Sequence, residues 1–244
     1  MEAWDGMGVA LIHSGFPTMQ DHVYAHLSEA LMAGVFRPGE PIAITDLARQ
    51  FGTSAMPVRD AVRRLHAEGA LQIEPQRGVR VRLAEEAEVA ELIRLRLNLE
   101  PGLAAAAATR LSDEALQALD ETAMALGDAL GDADPLRLLQ LNKALHFILY
   151  EAAAQPVTLQ IVRMLWARMG PVIRVYVSNP AFAITPETAR RLVVAVRARD
   201  SRAARRWVIE TIRTPAAILL ADYARYVGEP AARPGYRREP AVGA

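Results

Sequence analysis

The sequence contains no cysteine among its 244 residues, which excludes disulfides, thiolate-ligated zinc and thiol chemistry of any kind. That absence fits a reducing cytoplasm. Only one lysine is present, Lys143, so nearly all positive charge is arginine. With 28 basic and 28 acidic side chains the net charge is zero, which excludes the global basic field of a non-specific nucleic-acid binder. Any attraction to phosphate has to come from a local patch. No apolar run is long enough to span a bilayer without charges, and the first sixteen residues lack the basic start and long apolar stretch of a signal peptide. What the chain has in quantity is apolar material, 52% of its residues, enough for a packed core at a length that accommodates two domains. These features predict a soluble cytoplasmic protein.

The most informative segment runs from Ile44 to Leu83. Ile44, Leu47, Ala48 and Phe51 recur at i, i+3, i+4 and i+7, the spacing of one buried helical face, and Gly52 lets the chain turn out. Thr45 is the expected N-cap of this helix. After the turn, Ser54 is placed to cap a second helix with Pro57 in its first turn, where a missing N–H costs nothing. Val58, Ala61, Val62 and Leu65 give that helix its inner face and Gly69 ends it. Arg59, Asp60, Arg63 and Arg64 are then left toward solvent, the pattern of a short helix presented to the major groove.

Leu71-Gln72-Ile73-Glu74, Pro75-Gln76-Arg77-Gly78 and Val79-Arg80-Val81-Arg82-Leu83 follow. The alternation of apolar residues with arginine predicts a half-buried strand paired through a turn. Arg77 and Gly78 fall at the tip, where glycine permits close backbone approach to a phosphate and arginine supplies a forked donor. Two helices and a glycine-tipped hairpin outline a winged helix-turn-helix over residues 17–83, a reader of double-stranded DNA. Eight arginines face seven acidic residues within that span, so their distribution over its surface matters more than their sum.

This segment resembles the DNA-binding domain of the GntR family of bacterial transcription regulators. The resemblance is carried by Pro38-Gly39-Glu40, Asp46-Leu47-Ala48, Phe51-Gly52, Ser54, Pro57-Val58-Arg59-Asp60-Ala61, Arg64-Leu65, Glu68-Gly69 and Arg77-Gly78. It implies DNA contacts from Ser54 and Arg59, with Arg77 and Gly78 on the wing. Thr45 and Arg63, beside them on the two helices, complete the expected set. One departure stands out: the family usually has Arg-Thr between that serine and proline, and this chain has Ala55-Met56. The family arginine is often a base-reading side chain, so the resemblance implies a different preferred operator here.

From Ala84 onward no strand signal is visible. Ala- and Leu-rich segments with helical spacing are separated by caps, predicting helices over about 85–110, from Ser112-Asp113, from Asp134-Pro135 to about Ala154, and from Pro156 to about Ser178 with a bend near Pro171. Two more are expected from Thr185-Pro186 and from Asp200 or Ser201 to about Gly228, the latter kinked by Pro215. Residues 1–16 and 229–244 are expected to be flexible. The predicted fold class is mainly α, an N-terminal winged helix-turn-helix followed by a C-terminal antiparallel bundle of six or seven helices over residues 84–228.

That arrangement resembles the FCD subfamily of GntR regulators, in which the bundle binds an effector and dimerises. Arg96-Leu97-Asn98-Leu99-Glu100-Pro101, Asn142-Lys143-Ala144-Leu145-His146 and Ala195-Val196-Arg197-Ala198-Arg199-Asp200 carry the likeness. Asn142 and His146 lie one helical turn apart on one face, the spacing of a two-ligand metal clip. In many members an Asp or Asn and this histidine join two later histidines around a divalent ion. Alignment through Ala195–Asp200 puts those positions at Ala189 and Thr211, and neither is an imidazole. Only one of the five histidines lies beyond Ala84, so a three-histidine site within the bundle is arithmetically impossible. No metal and no cofactor are therefore expected.

Without a metal bridge, an acidic effector needs direct cations. The resemblance places Arg96 toward the pocket, with Arg174 and Arg213 as further candidates, Thr211 as a hydroxyl and Asn142 and His146 as polar lining. Trp207, Tyr176, Phe147 and Met164 are candidate walls. The function implied is a homodimeric, metabolite-responsive regulator, commonly a repressor, on a two-fold operator, with a small organic acid as effector. Two rivals are an interaction or metabolite-binding protein that has lost operator reading, which Ala55-Met56 motivates, and an all-helical enzyme. For the enzyme the sequence offers no nucleophile–base–orienter set, phosphate loop or metal cluster.

Overall fold

The computed structural model describes residues 18–131, 134–177 and 186–228. The terminal segments expected to be flexible lie outside them. Nine helices and three short strands are present among the described residues, and the architecture is mainly α. None of these helices is long and apolar enough to cross a membrane.

The N-terminal unit contains α1 (Met19–Met32), β1 (Pro41–Ile42), α2 (Ile44–Gln50), α3 (Ala55–Ala67), β2 (Leu71–Glu74) and β3 (Gly78–Val81). Thr18 caps α1 by accepting the Asp21 N–H at 3.1 Å. The inner face of α3 closes the core: Val58, Ala61, Val62 and Leu65 are all at most 1% exposed, over buried Leu47, Ala48 and Phe51. The three strands form an antiparallel sheet in the order β1-β3-β2, with Ile42 and Ile73 both opposite Val79.

Three local expectations are corrected. Thr45 does not cap α2; the helix begins at Ile44 behind Ala43, which has no side chain able to cap, so Thr45 sits exposed in the first turn. Ser54 occupies the N-cap of α3, but its hydroxyl makes no capping bond. The second wing strand stops at Val81 rather than Leu83: the Arg82 N–H still reaches the Ala70 carbonyl at 3.1 Å, but the Ala70 N–H is turned to the Leu65 carbonyl at 3.0 Å, so the pairing goes no further. β1, which carries no strand signal in the sequence, adds an edge strand beside β3. Pro41 is tolerated there because an edge strand leaves one N–H side unpaired.

The C-terminal unit consists of α4 (Glu86–Ala107), α5 (Asp113–Gly131), α6 (Pro135–Ala152), α7 (Pro156–Tyr176), α8 (Pro186–Arg197) and α9 (Ser201–Gly228). Their starts follow from capping chemistry. Asp134 accepts the Leu136 and Arg137 N–H groups at 3.1 and 3.0 Å, and Asp200 accepts those of Arg202 and Ala203 at 3.0 Å. Helix α4 is the centre of the bundle, packed against α6, α7 and α9, while α5 lies against α6 and α8. Pro101, Pro171 and Pro215 lie inside helices, and each leaves a carbonyl four residues back without its usual N–H partner.

The two units meet along α1 and α7. Gly170 permits the contact: a Cβ there would lie 2.0 Å from the Leu31 carbonyl oxygen, so backbone of one unit rests on backbone of the other. Glu88 at the start of α4 ties the junction together. It accepts from Arg82 at 3.0 Å on the wing side and from Arg168 of α7. Burial opposes its charge, but these two arginines outweigh burial and hold its carboxyl below the usual glutamate range. The Tyr223 hydroxyl donates to the Ala84 carbonyl in the link between units, at 2.5 Å.

Candidate nucleic-acid interface and ligand cavity

The outer face of α3 and the hairpin tip form the first site. Burial of Val58, Val62 and Leu65 fixes the rotation of α3, so Arg59, Arg63 and the N-terminal Met56 are exposed. The arginines of this unit differ in what they already hold. Arg64 lies over the Tyr24 ring at 3.5 Å and donates to Glu68 at 3.2 Å, which commits it to joining α1 and α3. Arg80 donates to the Gly39 carbonyl at 3.2 Å, and Arg82 is held by Glu88. Arg63 is exposed but paired with Asp60 at 3.0 Å. Arg59 and Arg77 are exposed and make no ion pair among the described residues. Gly78 stands next to Arg77 with φ 88° and nothing within 4 Å of where a Cβ would be, at the first residue of β3. The turn also holds Gln76 at φ 63°, a left-handed conformation that tightens the tip.

The second site is a cavity in the bundle with about 750 Å³ of empty space, part of it open to solvent. Arg96 of α4, Asn142 and His146 of α6 and Thr211 of α9 all line it, together with Ile93, Met169, Ile173 and Glu210. Arg174 and Arg213 do not. On α7, Met169 and Ile173 face the cavity one turn apart, which turns the adjacent Arg174 about 100° away. Arg174 lies half-buried at the junction with the N-terminal unit. Burial and the charge of Arg37 lower its pKa there, against the opposing pull of Asp134 and Glu40. On α9, Thr211, Thr214 and Pro215 face inward, which leaves Arg213 with 65% of its side chain exposed beside Glu210 at 3.8 Å. The four candidate wall residues, Trp207, Tyr176, Phe147 and Met164, also lie outside the lining.

The sequence reading missed a buried network behind Arg96. Its Nε and Nη2 donate to Glu100 at 2.5 and 3.2 Å, and Glu100 is wholly buried. Tyr150 Oη and Trp166 Nε1 also donate to this carboxylate, at 2.7 and 3.0 Å. His146 Nδ1 meets Tyr150 Oη at 2.8 Å. Burial, then the Arg96 charge, pushes His146 down to about 3, so the imidazole is neutral. Burial and the neighbouring Glu100 push the Tyr150 hydroxyl well above its ordinary value. Burial opposes the Arg96 charge, but Glu100 outweighs it and raises the guanidinium further. The i, i+4 spacing of Arg96 and Glu100 was the available signal for this pair.

The residues present do not fit a divalent ion. Ala189 and Thr211 line the same cavity as Asn142 and His146, so the four positions do converge, but two of them offer a methyl and a hydroxyl. No group of three His, Asp or Glu side chains is placed to hold a metal among the described residues.

Comparison with known proteins agrees with both units. Residues 19–81 match the model of the bacterial regulatory proteins of the gntR family, and residues 91–214 match the FCD domain. The HTH-type transcriptional regulator McbR of Escherichia coli is 29% identical over 202 residues, which cover 82% of this chain and 91% of that protein. The Nta operon transcriptional regulator of Aminobacter aminovorans is 31% identical over 134 residues, 55% of this chain and 63% of its own length. Among solved structures, E. coli McbR/YncC superposes with a TM-score of 0.76 at 27% identity, over 85% of this chain and all of that one. A GntR structure from Rhodococcus sp. RHA1 shares the fold, with a TM-score of 0.65 at 21% identity over 84% of this chain and 98% of its own. The chain belongs to the GntR family of bacterial regulatory proteins, with an FCD domain behind its winged helix, and is a DNA-binding transcriptional regulator.

Proposed function

We propose that the protein is a one-component repressor that grips a two-fold operator as a homodimer and releases it when a small molecule fills the cavity. One recognition helix reads only a few base pairs, so specificity at a single genomic site calls for two half-sites and two copies. In this reading α3 enters the major groove with Ser54, Arg59 and Arg63 toward DNA, and Arg77 and Gly78 follow the backbone into the adjoining minor groove. In the same reading Thr45, exposed in the first turn of α2, would meet a phosphate. Met56, 62% exposed where the family usually has threonine, suits apolar contact with a thymine methyl. Such a regulator works in the cytoplasm and catalyses no reaction.

The observation that carries this reading is the position of α7. Met169 and Ile173 wall the cavity, and Gly170 between them rests on the backbone of α1 in the DNA-binding unit. A ligand that shifts α7 therefore moves α1 directly, because backbone against backbone leaves no side chain to absorb the displacement. To change operator affinity the ligand has to bind the two arrangements unequally. The family resemblance suggests a small organic acid. Its carboxylate would meet Arg96 in competition with Glu100. Titration of the purified protein against DNA from upstream of its own gene tests the reading. Sequence-selective, salt-sensitive binding supports it, and no binding at low salt favours an interaction protein on the same fold.

A further inference from the structure

The charge a cavity offers a ligand is what remains after its own groups have paired. Two lining residues carry charge, Arg96 and Glu210. Arg96 already holds a carboxylate. Two of its nitrogens bind both oxygens of Glu100, its guanidinium lies 4.5 Å over the Trp166 ring, and Tyr150 and Trp166 fix Glu100 from other directions. A second carboxylate would thus approach a neutralised cation. It would also approach Glu210, whose nearest cation, Arg213, is mostly exposed and screened by water. An ammonium would be drawn to Glu210 but placed beside Arg96.

The hydrogen-bonding polarity of the lining points the same way. Tyr150 gives its one proton to Glu100, so His146 Nδ1 has to donate to Tyr150 Oη, which leaves Nε2 an acceptor. Thr211 gives its hydroxyl proton to the Val208 carbonyl at 2.8 Å and keeps only lone pairs for a ligand. Pro215 has no N–H to offer the Thr211 carbonyl four residues back. Glu210 only accepts. Asn142, Thr188 and Thr214 carry groups that both donate and accept, and Leu126, Leu145, Met169, Ile173 and Leu219 make much of the rest of the lining apolar.

We infer that the cavity takes an uncharged amphipathic molecule that donates hydrogen bonds, of the alcohol or primary-amide class, rather than a carboxylate. The inference rests on the reading of this cavity as the effector site. Glu100 is then a specificity-determining residue: an internal anion that occupies the arginine an acidic ligand would use.

Hexanamide, hexanoate and hexylamine share one six-carbon chain and differ in head-group charge, so they test the inference directly. The full-length protein, carbon-13-labelled at its methionine methyls, is titrated with each while the Met169 resonance is followed; Met169→Leu assigns that resonance. Hexanamide is expected to shift it saturably, with hexanoate and hexylamine about tenfold weaker or more. Glu100→Gln keeps the shape of the side chain and removes its charge, and is expected to improve hexanoate about tenfold relative to hexanamide. Should that variant not fold, Glu210→Gln narrows the hexanoate deficit with the Arg96 pair intact. Hexanoate or hexylamine binding as tightly as hexanamide to the unaltered chain overturns the inference and leaves the cavity a ligand site. No Met169 shift with any of the three overturns the inference and the effector-site reading together.

Discussion

Gly170→Ala is the substitution for which the structure gives the most definite magnitude. The added methyl would sit 2.0 Å from the Leu31 oxygen, 2.9 Å from the Met32 oxygen and 3.0 Å from the Leu31 carbonyl carbon. Ordinary carbon–oxygen contacts lie at about 3.3–3.6 Å, so α1 and α7 have to separate by more than about 1 Å. All three atoms are backbone, so no rotamer change relieves the clash, which puts the overpacking cost near the upper end of about 1–3 kcal/mol. Replacing a helical glycine with alanine gains about 1 kcal/mol in return. The net loss is about 2 kcal/mol, a fall in melting temperature of roughly 4–8 °C for a chain of this size. Gly102→Ala is the internal control: it is also within a helix, its Cβ would meet nothing within 4 Å, and it should raise the melting temperature by roughly 2–4 °C. Melting of the three proteins by far-ultraviolet circular dichroism measures both. A Gly170→Ala protein as stable as the parent would show that the two units do not meet backbone to backbone.

Arg59→Ala should weaken operator binding by about 1–3 kcal/mol, roughly 5- to 150-fold, with no change in melting temperature. Unchanged affinity in a binding titration would place the DNA contact elsewhere than on α3. For His146, the folded value of about 3 lies below the ordinary 6.5, so between them the unfolded chain carries a proton that the folded chain lacks. Stability therefore falls with falling pH through that window, by about 1.4 kcal/mol per pH unit for this group. Denaturant titrations from pH 7 to pH 4 should show a shallower loss in His146→Gln than in the parent; parallel curves would mean the imidazole is not held neutral. Elemental analysis of the purified protein should find no stoichiometric zinc, nickel or manganese, and about one ion per chain would overturn the reading of Ala189 and Thr211 as lost ligands.

The sequence discloses the helices and much of the wing, because each carries its own periodicity and its own punctuation. Val58, Ala61, Val62 and Leu65 repeat at helical spacing between Ser54 and Gly69, and they are the innermost residues of α3. β1 was invisible because two residues cannot show a period, and its pairing with β3 is a long-range event. Thr45 misled because a good capping residue stood one position inside a helix that begins without a side-chain cap.

For the cavity, Asn142 and His146 were legible as an i, i+4 pair on one face. Arg174 and Arg213 were misplaced because charge type says nothing of helical phase; each lies on a helix that lines the cavity, on another face of it. The Arg96–Glu100 spacing was equally visible, but the same spacing on a solvated face is an ordinary surface ion pair. Only the packing of α6 and α7 around α4 shows it to be buried, with Tyr150 and Trp166 closing on the carboxylate.

The central claim is that the exposed face of α3 and the Arg77-Gly78 tip read DNA in neighbouring grooves from two copies of the chain. Hydroxyl-radical footprinting of the full-length protein on its own upstream DNA tests this most directly. The account predicts two protected patches related by a two-fold axis, each pairing a major-groove half-site with an adjoining minor-groove contact that disappears in an Arg77→Ala protein. A single unsymmetrical patch, or protection unaffected by the loss of Arg59 and Arg77 together, would contradict it.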